Sequence, residues 1–298
     1  MIKKICKSKK ISVLIFSLLL IVLCSCDLIS DNNTGENTHS ENLLSVHFLD
    51  VGQGDSIFIE LPNSQTMLID AGENYHGKGI INYIKNCGYS RIDYLVATHP
   101  HSDHIGSMAY IVRNFEIGDI YMPKVTTTTV TYEKLLESIS ENGLKIKSAA
   151  AGTNITYFDD FTADITAPKE IDEKNLNNCS AVIKMTYGNK SFLFMGDAEK
   201  SEINSITADI SADVLKVGHH GSKTSTTAEF LERVQPVIAV ISCGIDNDYG
   251  HPHESTLNFL SDINCEVYRT DKDKTVTVTT DGNTINVQTN GISIERAK

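Results

Sequence analysis

The chain is short of several features on which a functional reading usually leans. Among Cys87, Cys179, Cys243 and Cys265, the four cysteines beyond the first 26 residues, no Cys-x-x-Cys spacing occurs, so a thiolate metal site is unsupported. Those four allow three pairings and no spacing selects one, which leaves buried free thiols as the simplest reading. Basic residues are scarce: 26 Lys and Arg face 38 Asp and Glu, for a net charge of −12. Five of the lysines precede Ile11, and the rest of the chain sets 21 basic against 38 acidic residues, or −17. A surface of that sign repels a polyanion, so contact with nucleic acid must come through local patches or bound cations. The apolar run Ile11–Leu23 is short for a membrane span. No Pro- or Ser-rich linker interrupts residues 43–298, which argues for one domain there.

The N-terminus, MIKKICKSKKISVLIFSLLLIVLCSC, sets five lysines before the apolar run and ends on Leu23-Cys24-Ser25-Cys26. These are the charged and apolar regions of a secretory signal. Its last four residues resemble a bacterial lipobox, in which the final cysteine is acylated and becomes the mature N-terminus. Residues 1–26 therefore read as a lipoprotein signal peptide with Cys26 as the lipidation site, an uncleaved membrane anchor being the alternative. Residues 27–42 are polar, lack aromatic residues and read as a flexible tether. The domain at 43–298 is thus expected outside the cytoplasm, anchored to the cell membrane by lipid.

From Leu43 onward, SVHFLDVG, DSIFIEL and TMLIDAG are short β-rich runs broken by Gly, Pro62 and Asn63, which suggests a meander. A helix follows at Gly79–Cys87, then the apolar strand IDYLVAT, then the helical spacing of IGSMAYIVRNF. Further strands are expected at Asp119–Met122, near Ile155 and Asp164, and in AVIKMTYG, SFLFMGD, DVLKVG and VIAVIS. Helices are expected at Tyr132–Asn142, from Glu199, at 227–234 and at 255–262, before a closing hairpin turning on DGN. Residues 170–178 read as a polar loop. The order is mixed α/β, two packed sheets covered by helices.

Seven of the ten histidines fall into three short clusters. THPHSDHIGS carries His99, His101, Asp103 and His104; KVGHHGS carries His219 and His220; YGHPHES carries His251 and His253. Each stands at or just beyond the end of an apolar strand, where ligands from separate strands can meet. Imidazole and carboxylate together suit zinc and related divalent ions. Two donor pairs in the first cluster imply two metals. FLFMGDAEK ends an apolar strand on Gly196 and Asp197, and a carboxylate, unlike an imidazole, has two oxygens with which to bridge them.

These segments closely resemble the metallo-β-lactamase superfamily, whose His-x-His-x-Asp-His signature falls here on His99, His101, Asp103 and His104. Within it, FLDVGQGDSIFIELP, LIDAG, ATHPHSDHIGS, FLFMGDAE, DVLKVGHHGS and YGHPHESTL resemble the extracellular hydrolase domain of ComEC-like competence proteins. They run in family order from about residue 45 to 270. The resemblance implies a four-layer αβ/βα sandwich with a binuclear site between the edges of two sheets. It implies His99 and His101 on one ion, Asp103 and His104 on the other, and Asp197 between. The superfamily's usual third-motif histidine is missing, with NNCSAV in its place. We infer that His219 completes the first site and His251 the second, with His220 and His253 as alternates that otherwise stand behind the ligands or face substrate. Asp70 is expected to orient the ligand loop by hydrogen bonds.

The activity implied is extracytoplasmic, metal-dependent hydrolysis, in which two cations, zinc or manganese, make a shared water nucleophilic and Asp103 orients it or shuttles its proton. A phosphodiester fits best, either DNA or a cell-envelope polymer, with Ser222, Lys223 and Thr224 as candidate phosphate donors. Alternatives are an acyl, lactone or β-lactam hydrolase of the same fold, or a non-catalytic binding lipoprotein. No protein partner is inferable.

Overall fold

Alternation along the strands sorts the apolar side chains into three layers. The computed structural model describes residues 43–289 and 291–295; the expected signal peptide, the tether and Cys26 lie outside them. The first sheet contains β1 (Leu44–Phe48), β2 (Ile57–Glu60), β3 (Thr66–Ile69), β4 (Arg91–Val96), β5 (Glu116–Met122) and β6 (Ile146–Ser148). The second contains β7 (Thr153–Phe158), β8 (Phe161–Ala167), β9 (Val182–Tyr187), β10 (Lys190–Phe194), β11 (Val214–Lys216), β12 (Ile238–Ile241) and β13 (Glu266–Arg269). The last hairpin, β14 (Val276–Thr280) and β15 (Ile285–Thr289), returns to the first sheet, whose order is β15-β14-β1-β2-β3-β4-β5-β6. The second sheet runs β13-β12-β11-β10-β9-β8-β7. Each sheet is antiparallel in one half and parallel in the other, through β3-β4-β5-β6 and β10-β11-β12-β13.

Phe48, Ile57, Met67 and Val96 of the first sheet meet Phe161, Ile183, Phe192 and Phe194 of the second in an inter-sheet core. Burying each phenylalanine there contributes roughly 1.5–3 kcal/mol. The residues one position along, such as Phe58 and Leu68, face the other way, onto helices Gly77–Asn86, Met108–Asn114 and Val130–Glu141. Leu193 and Leu215 likewise face helices Lys200–Ser205, Ala228–Val234 and Glu254–Asp262. The result is the expected four-layer sandwich.

Three expectations are corrected in detail. The continuous helix expected after the first histidine cluster is two short ones, Ser102–Ile105 and Met108–Asn114. Between them Gly106 is pressed so close that a Cβ would stand 2.4 Å from the Ser102 carbonyl oxygen and 2.5 Å from the Asn74 nitrogen. The loop at 170–178 contains the start of a 3-10 turn, Leu176–Cys179, capped by the Asn175 side chain. The edge strands β6 and β13, of three and four residues, were not anticipated. Cys87, Cys179, Cys243 and Cys265 are free thiols.

Glu202, on the helix Lys200–Ser205, is 4% exposed. Burial, reinforced by Asp172, pushes its carboxyl up to about 9 against the opposing pull of the Ser180 backbone. A carboxyl raised in the folded state holds its proton there, so the associated stability is complete below pH 4.5 and is lost as pH rises towards 9. Glu202→Gln, uncharged throughout, is expected to gain on the wild-type protein progressively over that window, reaching on the order of a few kcal/mol at pH 9. Thermal melts of both proteins at pH 5, 7 and 9 check this; parallel curves would contradict it.

Candidate metal centre

The C-terminal ends of β3, β4, β10 and β11 converge at one end of the sandwich, and each carries donors in the loop that follows it. After β3, Asp70 adopts a left-handed backbone (φ 59°) and accepts the Thr98 N–H (2.8 Å) and the Thr98 hydroxyl (2.6 Å). Its Oδ2 also stands 2.7 Å from His104 Nδ1. That contact assigns the ring proton of His104 to Nδ1 and leaves Nε2 as a ligand atom, the usual arrangement of a carboxylate behind a metal-binding imidazole. After β4, His99 is fully buried, with Nδ1 at 3.1 Å from the Thr98 hydroxyl and 3.4 Å from that of Ser180. His101 starts the helix Ser102–Ile105 and sets Nδ1 3.0 Å from His99 Nε2.

After β10 the chain turns through Gly196 (φ 51°), where a Cβ would crowd Thr98 and Ser180. Asp197, 2% exposed, is thereby placed among the imidazoles. Its Oδ1 lies 3.3 Å from His104 Nε2, and its Oδ2 lies 3.9 Å from His99, 3.7 Å from His219 and 3.7 Å from His220. After β11, His219 and His220 are both left-handed (φ 48° and 54°), which sends successive rings into the same space instead of to opposite sides. His219 Nδ1 is 3.3 Å from Glu199, and His220 Nε2 is 3.2 Å from Asp103 Oδ2.

Donor atoms of Asp103, His104, Asp197 and His220 all lie within 4.8 Å of one another. With His99, His101 and His219 beside them, they form a possible two-metal site sharing the Asp197 carboxylate. The chemistry of the set fits divalent cations. His104 Nε2 and Asp197 Oδ1 are buried, yet neither makes a hydrogen bond of acceptable geometry within the protein. Burial opposes charge on His104 and His220, but Asp197 and its neighbouring carboxylates raise both imidazoles, His220 to about 10. Positive charge is what this pocket demands. His99, flanked by His104, goes the opposite way, held well below its ordinary range chiefly by burial.

His251, expected to complete the second group, is not among those four donors but lines the same cavity. Its ring packs on His219 (5.5 Å between centroids) and stacks on Tyr249 (5.6 Å), and His220 stands with Asp103 and His104 instead. His253 accepts the Lys223 backbone N–H (3.1 Å) and starts the last long helix. Ser222 and Thr224 hydroxyls bond each other (3.0 Å), and Thr224 donates to Glu199 (3.0 Å), so they brace the His219 loop. Glu199, Asp55 and Ser242 were not foreseen. Asp55 Oδ1 is 3.4 Å from His220 Nδ1, whose proton goes to the Ser242 carbonyl (3.0 Å).

The donors floor a cavity of about 410 Å³, also lined by Gln53, Thr129, Leu176, Asn177 and Tyr249. A four-layer sandwich with such donors at the strand ends is the architecture of metal-dependent hydrolases of the metallo-β-lactamase type. Residues 49–245 match the Metallo-beta-lactamase superfamily, and the chain belongs to it, in its ComEC-like branch. It is 34% identical over 251 residues to ComE operon protein 3 of Bacillus subtilis (strain 168), covering 78% of this chain and 32% of that protein. It is 29% identical over 264 residues to Recombination protein 2 of Haemophilus influenzae, covering 87% and 31%. The chain thus spans about a third of the length of these relatives. Among solved structures, Igni18, a metallo hydrolase from Ignicoccus hospitalis, superposes with a TM-score of 0.52 at 16% identity, over 79% of this chain and 98% of that one. The CmlA β-hydroxylase E377D mutant does so with 0.52 at 14%, over 80% and 53%.

Asp103→Ala and Asp197→Ala are each expected to abolish hydrolysis and to lower bound metal measured by elemental analysis. His220→Ala should lower bound metal as they do, and His251→Ala should leave it near the wild-type amount. Equal metal loss in the two histidine variants would contradict the geometry.

Proposed function

We propose that this chain is an extracytoplasmic phosphodiesterase, a nuclease or a hydrolase of cell-envelope phosphodiesters, tethered to the membrane by lipid on Cys26 and working with two zinc ions, manganese being the alternative. The observation that carries the reading is Asp197, whose Oδ1 faces His104 and whose Oδ2 faces His99, His219 and His220 at the floor of an open cavity. When bound, the two cations supply Lewis acidity to the phosphoryl oxygens and lower the pKa of an attacking water. His99, His101, Asp197 and His219 would hold one, and Asp103, His104, Asp197 and His220 the other. Asp103 is the accessible carboxylate of the set, its side chain 27% exposed against 3% for the side chain of Asp197. It is therefore the group that orients the attacking water and takes its proton. Asn177 and Gln53, neutral and polar at the cavity wall, can receive phosphate oxygens without repelling them. Relatives named for competence and recombination favour DNA among the diesters, and the acid-rich composition favours short contacts over avid binding of long strands.

The test is turnover of bis-p-nitrophenyl phosphate by the full chain, stripped with chelator and reloaded with zinc or manganese, beside p-nitrophenyl acetate and a chromogenic β-lactam. Metal-dependent hydrolysis of the diester alone is expected. Hydrolysis of the acetate or the lactam without the diester would overturn the reading.

A further inference from the structure

The second sheet carries a lysine where its alternation calls for an apolar residue. Val214 of β11 packs in the inter-sheet core and Leu215 faces the outer helices, so Lys216 returns to the inner face. Its side chain is 0% exposed and its ammonium lies 2.7 Å from Asp55 Oδ2, on a side chain 2% exposed. The ammonium also donates to the Val217 carbonyl (3.0 Å). A buried ion pair is a poor source of stability, because desolvating both charges costs about what their attraction returns, and apolar replacements of like volume are often neutral or stabilising. Its position suggests another use.

Asp55 sits in the turn between β1 and β2 and touches ligand loops from both sheets. Its backbone N–H donates to the Asp103 carbonyl (3.1 Å), and its own carbonyl accepts from Gly72 (2.8 Å), next to Asp70 and Ala71. The turn is pressed onto the ligand loop so tightly that a Cβ on Gly54 (φ 148°) would stand 2.4 Å from the Asp103 carbonyl oxygen. On its other side, Asp55 Oδ1 flanks His220 Nδ1 at 3.4 Å, while His220 Nε2 points at Asp103. Asp55 thus links the ligand loop of the first sheet to the ligand loop of the second, and Lys216 anchors it from the core.

We infer that the buried Asp55–Lys216 pair is a positioning device for the Asp103, His104 and His220 half of the centre: it locks the Asp103 loop in place and fixes the charge behind the His220 ring, whose Nδ1 proton goes to the Ser242 carbonyl. The other half is braced independently, through Thr98 and Ser180 at His99 and Glu199 at His219. The pair therefore governs one cation and not the other. This rests on the metal centre and not on which ester is cleaved.

Cobalt(II) titration of the metal-stripped full chain, followed by visible absorption, tests it in Asp55→Asn and in the double variant Asp55→Asn, Lys216→Met, which removes both charges at similar volume. The second equivalent is expected to bind about 10–100-fold more weakly in both variants, with an altered absorption band, while the first binds as in the wild type. Wild-type binding of both equivalents in either folded variant, or equal weakening of both, would overturn it. Failure of both variants to fold would make the pair a structural element and overturn it as well. A wild-type chain that takes up fewer than two equivalents would instead sink the two-metal reading itself.

Discussion

Everything at this end of the sandwich is arranged around the cost of burying the Asp197 carboxylate. An isolated buried carboxylate is worth several kcal/mol of lost solvation, and Asp197 is 2% exposed. Its backbone N–H donates to the Ser180 hydroxyl (3.0 Å), yet its Oδ1 has no hydrogen bond within the protein. Compensation comes from imidazoles supplied by both sheets, with burial outweighed and the carboxyl held well below its usual range by His104 and His220. A protein selected for stability alone would place an amide or a methyl group there. The arrangement makes sense as a seat for cations.

The same logic extends one layer outwards. Each inward-facing imidazole is held through its second nitrogen by a different element: His104 by Asp70 at the end of β3, His219 by Glu199, and His220 by the Ser242 carbonyl at the end of β12. His99 rests on Thr98 and Ser180. Three of the nine non-glycine residues with positive φ among the described residues, Asp70, His219 and His220, stand in these same places. Non-glycine residues in that region cost of order 1–3 kcal/mol each and persist where the surroundings over-determine them. Here the surroundings are the packed strand ends.

How much of this could be read from the chain follows from the range of each interaction. His99, His101, Asp103 and His104 were legible because six consecutive residues of one loop hold four donors, and Asp197 because an apolar strand ended on it. The choice among His219, His220 and His251 was not legible. It depends on two successive left-handed residues, which no periodicity predicts, and on Tyr249 and His219 capturing the His251 ring. The sheets followed from alternation, but the edge strands β6 and β13 bury too little to carry a pattern. Lys216 was visible as a charge in an apolar strand, yet its meaning needed the partner Asp55, 161 positions away. Asp55 itself stood in a recognised motif without an assigned role.

The division of labour within the centre also explains how so distant a set of proteins can share this frame. The donors stand on strand ends, which the two cores hold rigidly. The rest of the cavity wall, Thr129, Leu176, Asn177 and Tyr249, belongs to connections outside the sheets. Strand ends cannot move without repacking Phe192, Phe194 and their neighbours, whereas connections can change length and sequence at little cost to either core. A metallo hydrolase and a β-hydroxylase superpose on this chain at 16% and 14% identity, as expected if the cores conserve the frame and leave the chemistry to the site. What this protein cleaves is therefore written in the loops around Asn177 and Tyr249 more than in its histidines, which say only that a cation pair is to be held there.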